Sequence, residues 1–245
     1  MNPSFQTVAE WIASARSIAV LTGAGLSQES GVPTFRGTDG LWQHYRPEEL
    51  ATPEAFARDP RLVWEWYDWR RSVIARAQPN PAHYALAELE ARTADFSLLT
   101  QNVDGLEEVA GCRKVHRLHG DIWLLRCVRC GHEEKNRTVP LPELPPRCAC
   151  GGLLRPGVVW FGEALAADVL QRAFAAAERA QVFLVIGTSA VVQPAASLPL
   201  VARQAGARVI EINRQATPLS SAVTVSLLGP AGEILPQLVG SSVRP

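Results

Sequence analysis

Short apolar runs alternate along the chain with stretches in which apolar residues recur every three or four positions. The short runs, which predict strands buried on both faces of a parallel sheet, lie at residues 18–22, 96–100, 115–118, 182–186 and 208–212. The periodic stretches, which predict helices, lie at residues 7–15, 164–180, 194–205 and 233–238. This alternation predicts an α/β fold, a doubly wound parallel sheet that binds ligands at the carboxyl ends of its strands.

Two segments depart from this alternation. Residues 41–92 have a helical pattern with three helix starts, in which the capping residues Thr52, Asp59 and Asn80 each precede a proline. Residues 122–155 are irregular and rich in proline and glycine. We interpret both segments as insertions that form a smaller module. The sheet domain is then made of residues 1–40, 93–121 and 156–245.

The composition limits the classes of protein that fit. The chain has 245 residues, of which 47% are hydrophobic, and this is enough for a full core. Its formal net charge is +0, so no global field attracts nucleic acid or an anionic membrane. No apolar run approaches the roughly 20 residues of a membrane span, and no basic start with an apolar block marks a secretory signal. We therefore expect a monomeric cytoplasmic protein that binds neither membrane nor nucleic acid.

Four of the five cysteines have the spacing of a metal site. Cys127 and Cys130 form one close pair, and Cys148 and Cys150 form a second. Thiols of a chain without a secretory signal stay reduced, and two such pairs joined by a loop converge tetrahedrally on zinc. Four sulfur ligands leave no open position, so we predict one structural Zn²⁺. The fifth cysteine, Cys112, is expected to be a small buried or surface residue.

The first predicted strand ends in the glycine-rich turn GAG at residues 23–25. Glycines let a backbone approach a pyrophosphate closely, next to the free N–H groups of a helix start. Gln28 stands where the usual dinucleotide fingerprint has its third glycine, so a plain strand–helix turn fits the residues equally well. The loop at residues 29–37 contains Phe35 and Arg36 and is long enough to fold over a ligand.

Polar side chains follow the other predicted strands in the same way. Asn102 and Asp104 come after the second strand, and His119 comes after the third, where a histidine can act as a base near neutral pH. The fourth and fifth strands are followed by GTS at residues 187–189 and by Asn213. Each cluster alone is also typical of a helix cap or a turn. Their repetition at one sheet edge predicts a single extended ligand.

Together these motifs resemble the sirtuin family. Sirtuins carry the same elements in the same order, namely GAGLSQESGVPTFRG, TQNVDGL, an HG dipeptide, a four-cysteine segment, GVVWFGE and GTS, and the resemblance spans about residues 18–238. It implies a Rossmann-like large domain beside a small zinc and helical module, with NAD and an acyl-lysine peptide in the cleft between them. It further implies an enzyme that consumes NAD and releases free lysine, nicotinamide and O-acyl-ADP-ribose.

The resemblance also implies roles for individual residues. His119 would be the general base that takes a ribose hydroxyl proton, and Asn102 and Asp104 would complete the catalytic set. The residues expected to bind NAD are Gly23, Ala24, Gly25, Ser27, Phe35, Arg36, Trp42, Gln101, Asn102, Val103, Asp104, Gly187, Thr188, Ser189, Asn213, Arg214, Gln215 and Ala231. The substrate backbone would pair, as an added strand, with Val159, Trp160, Phe161, Gly162 and Glu163. One departure is Glu107-Glu108, where many sirtuins have His-x; we expect it to affect the surface more than the chemistry.

A helical pair indicates which acyl group is removed. Tyr67 and Arg70 lie three residues apart and share one helix face. In sirtuins that prefer acidic acyl groups, a Tyr-x-x-Arg at this place binds the distal carboxylate, and Ala51 resembles the small residue that widens their acyl pocket. A charge-assisted hydrogen bond contributes about 1.5–3 kcal/mol, enough to favour succinyl or malonyl over acetyl. The alternative is a solvated Arg70 beside a packed Tyr67.

Other activities are compatible with the same motifs. The chain could be a deacetylase only, or a mono-ADP-ribosyltransferase that modifies a protein nucleophile. A module that only senses NAD needs no base, and the intact set Asn102, Asp104 and His119 weighs against it. A nucleic-acid-binding zinc ribbon is disfavoured because the cysteine segment contains glutamates as well as basic residues.

Overall fold

The computed structural model describes residues 3–35 and 46–240 of the chain. Its strands β1 to β9 are, in chain order, Ser17–Thr22, Asp95–Thr100, Val115–Arg117, Gly120–Cys127, Glu133–Lys135, Leu154–Val158, Val182–Ile186, Arg208–Asn213 and Val225–Leu228. Its helices α1 to α10 are Phe5–Ser14, Ala24–Gln28, Pro47–Leu50, Pro53–Arg58, Pro60–Ile74, Pro81–Arg92, Leu106–Val109, Ala167–Arg179, Leu198–Gln204 and Ala231–Val239. None of the helices in these described residues has the length and apolarity needed to span a membrane.

Six strands form one parallel sheet in the order β3-β2-β1-β7-β8-β9. The chain builds outward from β1 to β3 on one side and from β7 to β9 on the other. The order therefore reverses between β1 and β7, and the loops that follow these two strands open a crevice. This topology confirms the predicted doubly wound α/β fold. All five predicted strands are present, and the edge strand β9 is an addition that the apolar pattern does not predict.

Helices cover both faces of this sheet. On one face pack α1, α6 and α10, whose residues Val8, Leu86 and Leu235 are completely buried. On the other face pack α8 and α9, where Ala173 and Leu198 are completely buried. Because both faces are covered, the strands are apolar on both sides. This is why they stand in the sequence as continuous apolar runs and not as alternating ones.

A smaller module lies beside the sheet, as predicted. It consists of an antiparallel sheet in the order β5-β4-β6 and of helices α3 to α5, around a core rich in aromatic rings. The indole N–H of Trp64 in α5 donates to the Leu154 carbonyl at 2.7 Å. The guanidinium of Arg71, also in α5, donates to the carbonyls of Asn136 and Thr138 at 2.8 and 3.1 Å. These bonds fasten α5 to the cysteine-bearing segment.

The helices of the segment predicted at residues 41–92 pack in two different places. All three predicted starts are present, since the side chains of Thr52, Asp59 and Asn80 accept N–H groups in the first turns of α4, α5 and α6. However, α6 packs with α10 on the large sheet, so only α3 to α5 share the core of the small module. Capping signals mark where a helix starts, but they carry no information about the surface on which it packs.

Candidate active site

The carboxyl ends of the sheet strands and the small module enclose a cavity of about 640 Å³, a size typical of small-molecule sites. Of the residues predicted to bind NAD, those that line it are Gly23, Ala24, Gly25, Phe35, Gln101, Asn102, Val103, Gly187, Thr188, Ser189, Asn213, Arg214 and Gln215. His119 lines it too. So do the residues predicted to bind the substrate: Ala51, Tyr67, Arg70, Val159, Trp160, Phe161, Gly162 and Glu163. One continuous space therefore joins the two predicted binding regions.

Three of the described residues predicted to bind NAD are not part of this lining. Ser27, Asp104 and Ala231 are buried behind the cavity wall. Arg36 and Trp42 lie outside the described residues. The sequence pattern places a residue near a strand end, but whether its side chain points into the cavity depends on the local turn.

Asp104 braces the loop after β2 from behind. Its Oδ2 accepts the hydroxyl of Ser27 at 2.9 Å, and its Oδ1 accepts the N–H of Leu106 at 2.9 Å. Burial and the neighbouring Glu107 carboxyl raise the pKa of Asp104 to about 6. The direct ribose contact that the resemblance implies for Asp104 is therefore not prepared by its orientation, and its present bonds all support the loop.

The crevice between β1 and β7 depends on close backbone contact. The Gly25 N–H donates to the Gly187 carbonyl at 2.7 Å, and Gly187 has a φ of +60°. A Cβ built on Gly23 or on Gly25 would lie 2.8 Å from that carbonyl oxygen. Glycine is thus required here first by the contact between the two loops, before any ligand approaches.

Side-chain amides tie four strand ends together along this wall. Gln101, after β2, donates from Nε2 to the Thr188 hydroxyl at 3.0 Å. Asn102 donates from Nδ2 to the Gly23 carbonyl at 3.1 Å. Asn213, the last residue of β8, donates from Nδ2 to the Thr188 carbonyl at 2.8 Å. The polar groups that the sequence distributes over distant turns are therefore cross-linked into one surface.

His119 is held as a neutral base. Its Nδ1 lies 3.1 Å from the Gln101 carbonyl oxygen, which can only accept, so Nδ1 carries the proton of the neutral ring. Burial lowers the pKa of His119, and the bond to Gln101 opposes that shift. The imidazole is therefore neutral at pH 7, and Nε2 is its basic atom.

The opposite wall presents a buried cation. Arg70 is 6% exposed, and its guanidinium carbon lies 4.4 Å from the ring centre of Phe35 and 5.0 Å from that of Trp66. Burial lowers the pKa of Arg70, but a guanidinium stays charged at neutral pH. Within residues 3–35 and 46–240, no carboxylate forms an ion pair with it. Among the described residues, the cavity therefore contains a positive charge that no carboxylate pairs.

Tyr67 stands one helical turn before Arg70 and is also buried. Its phenolic oxygen accepts the indole N–H of Trp160 at 2.9 Å, and burial raises its pKa to about 12. The phenol therefore keeps its own proton, which remains available for donation. Ala51 completes this end, since its carbonyl accepts the Phe161 N–H at 2.9 Å.

The segment at residues 159–163, predicted to pair as a strand with a peptide, has an irregular backbone. Its N–H groups are already used: Val159 donates to the His119 carbonyl, Phe161 to Ala51, and Trp160 to the Glu163 carboxylate at 2.8 Å. Pairing through these donors is excluded in this arrangement. A peptide strand would have to use other groups of the segment or the residues after it.

The four clustered cysteines converge as predicted. All four Sγ atoms lie within 4.8 Å of one another, with 3.5 Å between Cys127 and Cys150 and 3.8 Å between Cys130 and Cys148. A tetrahedron with Zn–S bonds of about 2.3 Å has S···S edges of about 3.8 Å. The cluster therefore fits one structural zinc. Cys112 lies elsewhere and is buried, and burial raises the pKa of its thiol to about 12.

Several lining residues are absent from the sequence prediction: Gln28, Thr34, Trp66, Val158, Leu165, Val191, Val192, Gln193, Ala216, Thr217 and Pro218. Those at 191–193 and 216–218 follow the predicted turns after β7 and β8. Extending the strand-end rule by a few residues would have found them. Trp66 has no signal of its own, because a tryptophan in a helix is more often part of the core.

Glu211 in β8 supports the loop at residues 214–218 and was also missed. It is completely buried, and its carboxylate accepts hydroxyls from Thr217, Ser220 and Ser226. One acidic side chain thus holds the loop that lines the far end of the cavity. A lone glutamate inside an apolar strand gives no sequence signal for such a role.

Comparison with known proteins agrees with this arrangement. Residues 23–194 match the model of the Sir2 family. The NAD-dependent protein deacylase of Aquifex aeolicus is 60% identical over 83% of this chain and 86% of its own length, and the NAD-dependent protein deacylase 2 of Pyrobaculum aerophilum is 56% identical over 95% and 93%. A crystal structure of a Sir2 homologue in complex with NAD is 52% identical over 98% of this chain and 94% of that chain, with a TM-score of 0.92. The chain therefore belongs to the Sir2 family.

Proposed function

We propose that this protein is an NAD-dependent protein-lysine deacylase that removes succinyl and malonyl groups, and also acetyl groups, with release of nicotinamide and O-acyl-ADP-ribose. The deacylase activity follows from the names of the relatives and from the Sir2 family match. The acidic acyl preference rests on one observation, the buried unpaired guanidinium of Arg70 in the same cavity as His119.

NAD as co-substrate suits the wall formed by the sheet. When bound, it supplies a ribose carbon that the acyl oxygen attacks as nicotinamide leaves. In the glycine crevice the N–H groups of Gly23 and Gly25 already donate to the carbonyls of Ile186 and Gly187, so the start of α2 at Ala24 would supply the N–H for a pyrophosphate. Gln101 and Asn102 would offer amides for the nicotinamide ribose, while Asn213 and the loop held by Glu211 would line the adenosine end.

His119 would act as the general base at Nε2. Because Nδ1 is fixed on the Gln101 carbonyl, the ring presents Nε2 as the acceptor for a ribose hydroxyl proton. A positioned base of this kind contributes about 10²- to 10⁴-fold to the rate. Its pKa is lowered by burial, so the base is already deprotonated at neutral pH.

Arg70 and Tyr67 would bind the distal carboxylate of the acyl group. The guanidinium is already desolvated in the free protein, and the phenol keeps a proton to donate because burial raises its pKa to about 12. A charge-assisted bond of about 1.5–3 kcal/mol corresponds to roughly 10- to 150-fold in equilibrium terms. An acetyl group lacks the distal carboxylate, so it gains none of this binding free energy.

The test compares matched succinyl- and acetyl-lysine peptides by kcat/KM. We expect Arg70→Met to lower the succinyl value by about 10- to 150-fold while the acetyl value changes little. The matched control is Arg61→Met, because Arg61 is an exposed arginine of the same helix that pairs with Glu65. Equal losses on both peptides would refute the carboxylate-binding role, and an enzyme active on acetyl peptides alone would be a deacetylase only.

A further inference from the structure

Glu107, expected at the surface from the sequence, is completely buried in α7 beneath the site. Its Oε1 accepts the hydroxyl of Thr100 at 2.7 Å and lies 3.0 Å from the hydroxyl of Thr22. The two threonine hydroxyls are 2.8 Å apart. The two threonines stand at the carboxyl ends of β1 and β2. Glu107 therefore lies inside the fold, and not at the surface where its departure from the sirtuin pattern is expected to have its main effect.

We propose that Glu107 is a positioning residue for the reaction proposed above: it joins the two ends of the loop at residues 100–107 and so orients Asn102 and His119. Thr100 begins this loop and Glu107 ends it, and the bond between their side chains closes it. The inference rests on the proposed deacylase function, since it concerns the residues that would carry out that reaction.

Two contacts carry the effect of Glu107 to the cavity. The Thr100 oxygen accepts the N–H of Asn102 at 3.0 Å while giving its own proton to Glu107. The next carbonyl along the loop, that of Gln101, orients the ring of His119. Without the Glu107 acceptor, the Thr100 hydroxyl would keep only its bond to Thr22. The loop that Thr100 begins would then be held less firmly, and both contacts would lose part of their fixed direction.

Burial of the Glu107 carboxyl group destabilises the fold. Burial raises the pKa of Glu107, and its Oε2 has no hydrogen-bond partner in the part of the chain that the structure describes. A buried polar atom without a partner destabilises a fold by about 1–3 kcal/mol. A leucine of similar size would avoid this cost, and the two threonine hydroxyls would still bond each other. A purely structural role therefore does not account for the glutamate.

The experiment compares Glu107→Leu with Glu107→Gln, which keeps an oxygen acceptor of the same length. We expect the leucine variant to be at least as heat-stable as the parent, with kcat lowered by about 10- to 100-fold because the reacting groups are misplaced. The KM for NAD should change much less than kcat. The glutamine variant should recover kcat to within about threefold of the parent, a small loss on the scale of a misplaced group.

Thr100→Val breaks the same contact from the other side and should reproduce the loss of kcat, which keeps the test available should Glu107→Leu fold poorly. A folded leucine variant with the parent kcat would overturn this inference alone, as would a glutamine variant as slow as the leucine one. If the unsubstituted protein turned over no acyl-lysine peptide, the proposed function would fail, and this inference with it.

Discussion

The two walls of the cavity are built on different principles. The sheet wall consists of strand-end turns that are cross-linked by hydrogen bonds, as from Gln101 to Thr188 and from Asn102 to Gly23. The module wall consists of aromatic rings around one guanidinium, on a helix attached to the zinc segment. The first wall carries the groups suited to the reaction, and the second carries the group suited to choosing the acyl chain. The proposed function therefore places reaction and acyl selectivity in separate parts of the fold.

Of the predicted changes, removal of the zinc should have the largest effect. It should disrupt the structure of the module wall only. In Cys148→Ser treated with a chelator, we expect the module to unfold, since a structural zinc contributes about 10–16 kcal/mol of apparent binding free energy. Deacylation should be lost, while ADP-ribose binding, measured by calorimetry, should weaken by no more than about tenfold (1.4 kcal/mol). Cys112→Ser is the control, because that thiol is buried outside the cluster. Equal loss of binding and turnover would contradict the independence of the two walls.

Substituting His119, the proposed base, should remove the catalytic function of the sheet wall and leave its structure intact. His119→Ala is expected to lower kcat by about 10²- to 10⁴-fold, with unchanged melting temperature and ADP-ribose affinity. His116→Ala is the matched control, because His116 is a half-buried histidine of β3 outside the cavity lining. Near-normal turnover by the folded His119 variant would show that another group accepts the proton.

A smaller effect should appear in the pH dependence of kcat/KM. It sharpens the comparison because the titrating group, His119, belongs to the sheet wall alone. Only the neutral imidazole accepts a proton, so kcat/KM should rise with pH through the pKa of His119. Burial lowers that pKa, so the midpoint should lie below the ordinary value of 6.5. Asp104 titrates nearby, with a pKa of about 6, so Asp104→Asn serves as the control. A midpoint that moved with that substitution would belong to Asp104.

The sheet wall could largely be predicted from the sequence. Parallel strands buried on both faces give continuous apolar runs, and their carboxyl ends meet at one edge, so the sequence alone groups Asn102, His119 and Asn213. The edge strand β9 could not be predicted because it is short and only partly buried. The strands β4 to β6 could not be predicted because the apolar residues of their segment follow no regular pattern.

The module wall and the buried acids were harder to predict. Arg70 and Tyr67 share a helix face by spacing, but only the resemblance to sirtuins indicated that this face meets the cavity. Charged residues are mostly exposed, so nothing local marked Glu107 as buried. Glu211 falls in a run predicted to be buried on both faces, but nothing local marked its role in holding a loop. Their burial depends on hydroxyl donors that are distant in the sequence or lie on other turns, such as Thr22 and Ser226.

The backbone contact between Gly25 and Gly187 has a consequence for how such an enzyme can change. No methyl group can be added at either position without separating β1 from β7, since a Cβ on either glycine would collide with the other loop. The helix α5, by contrast, presents side chains that can be exchanged one at a time. New acyl preferences are therefore accessible by substitution in α5, whereas the seam between the two central strands tolerates almost no variation.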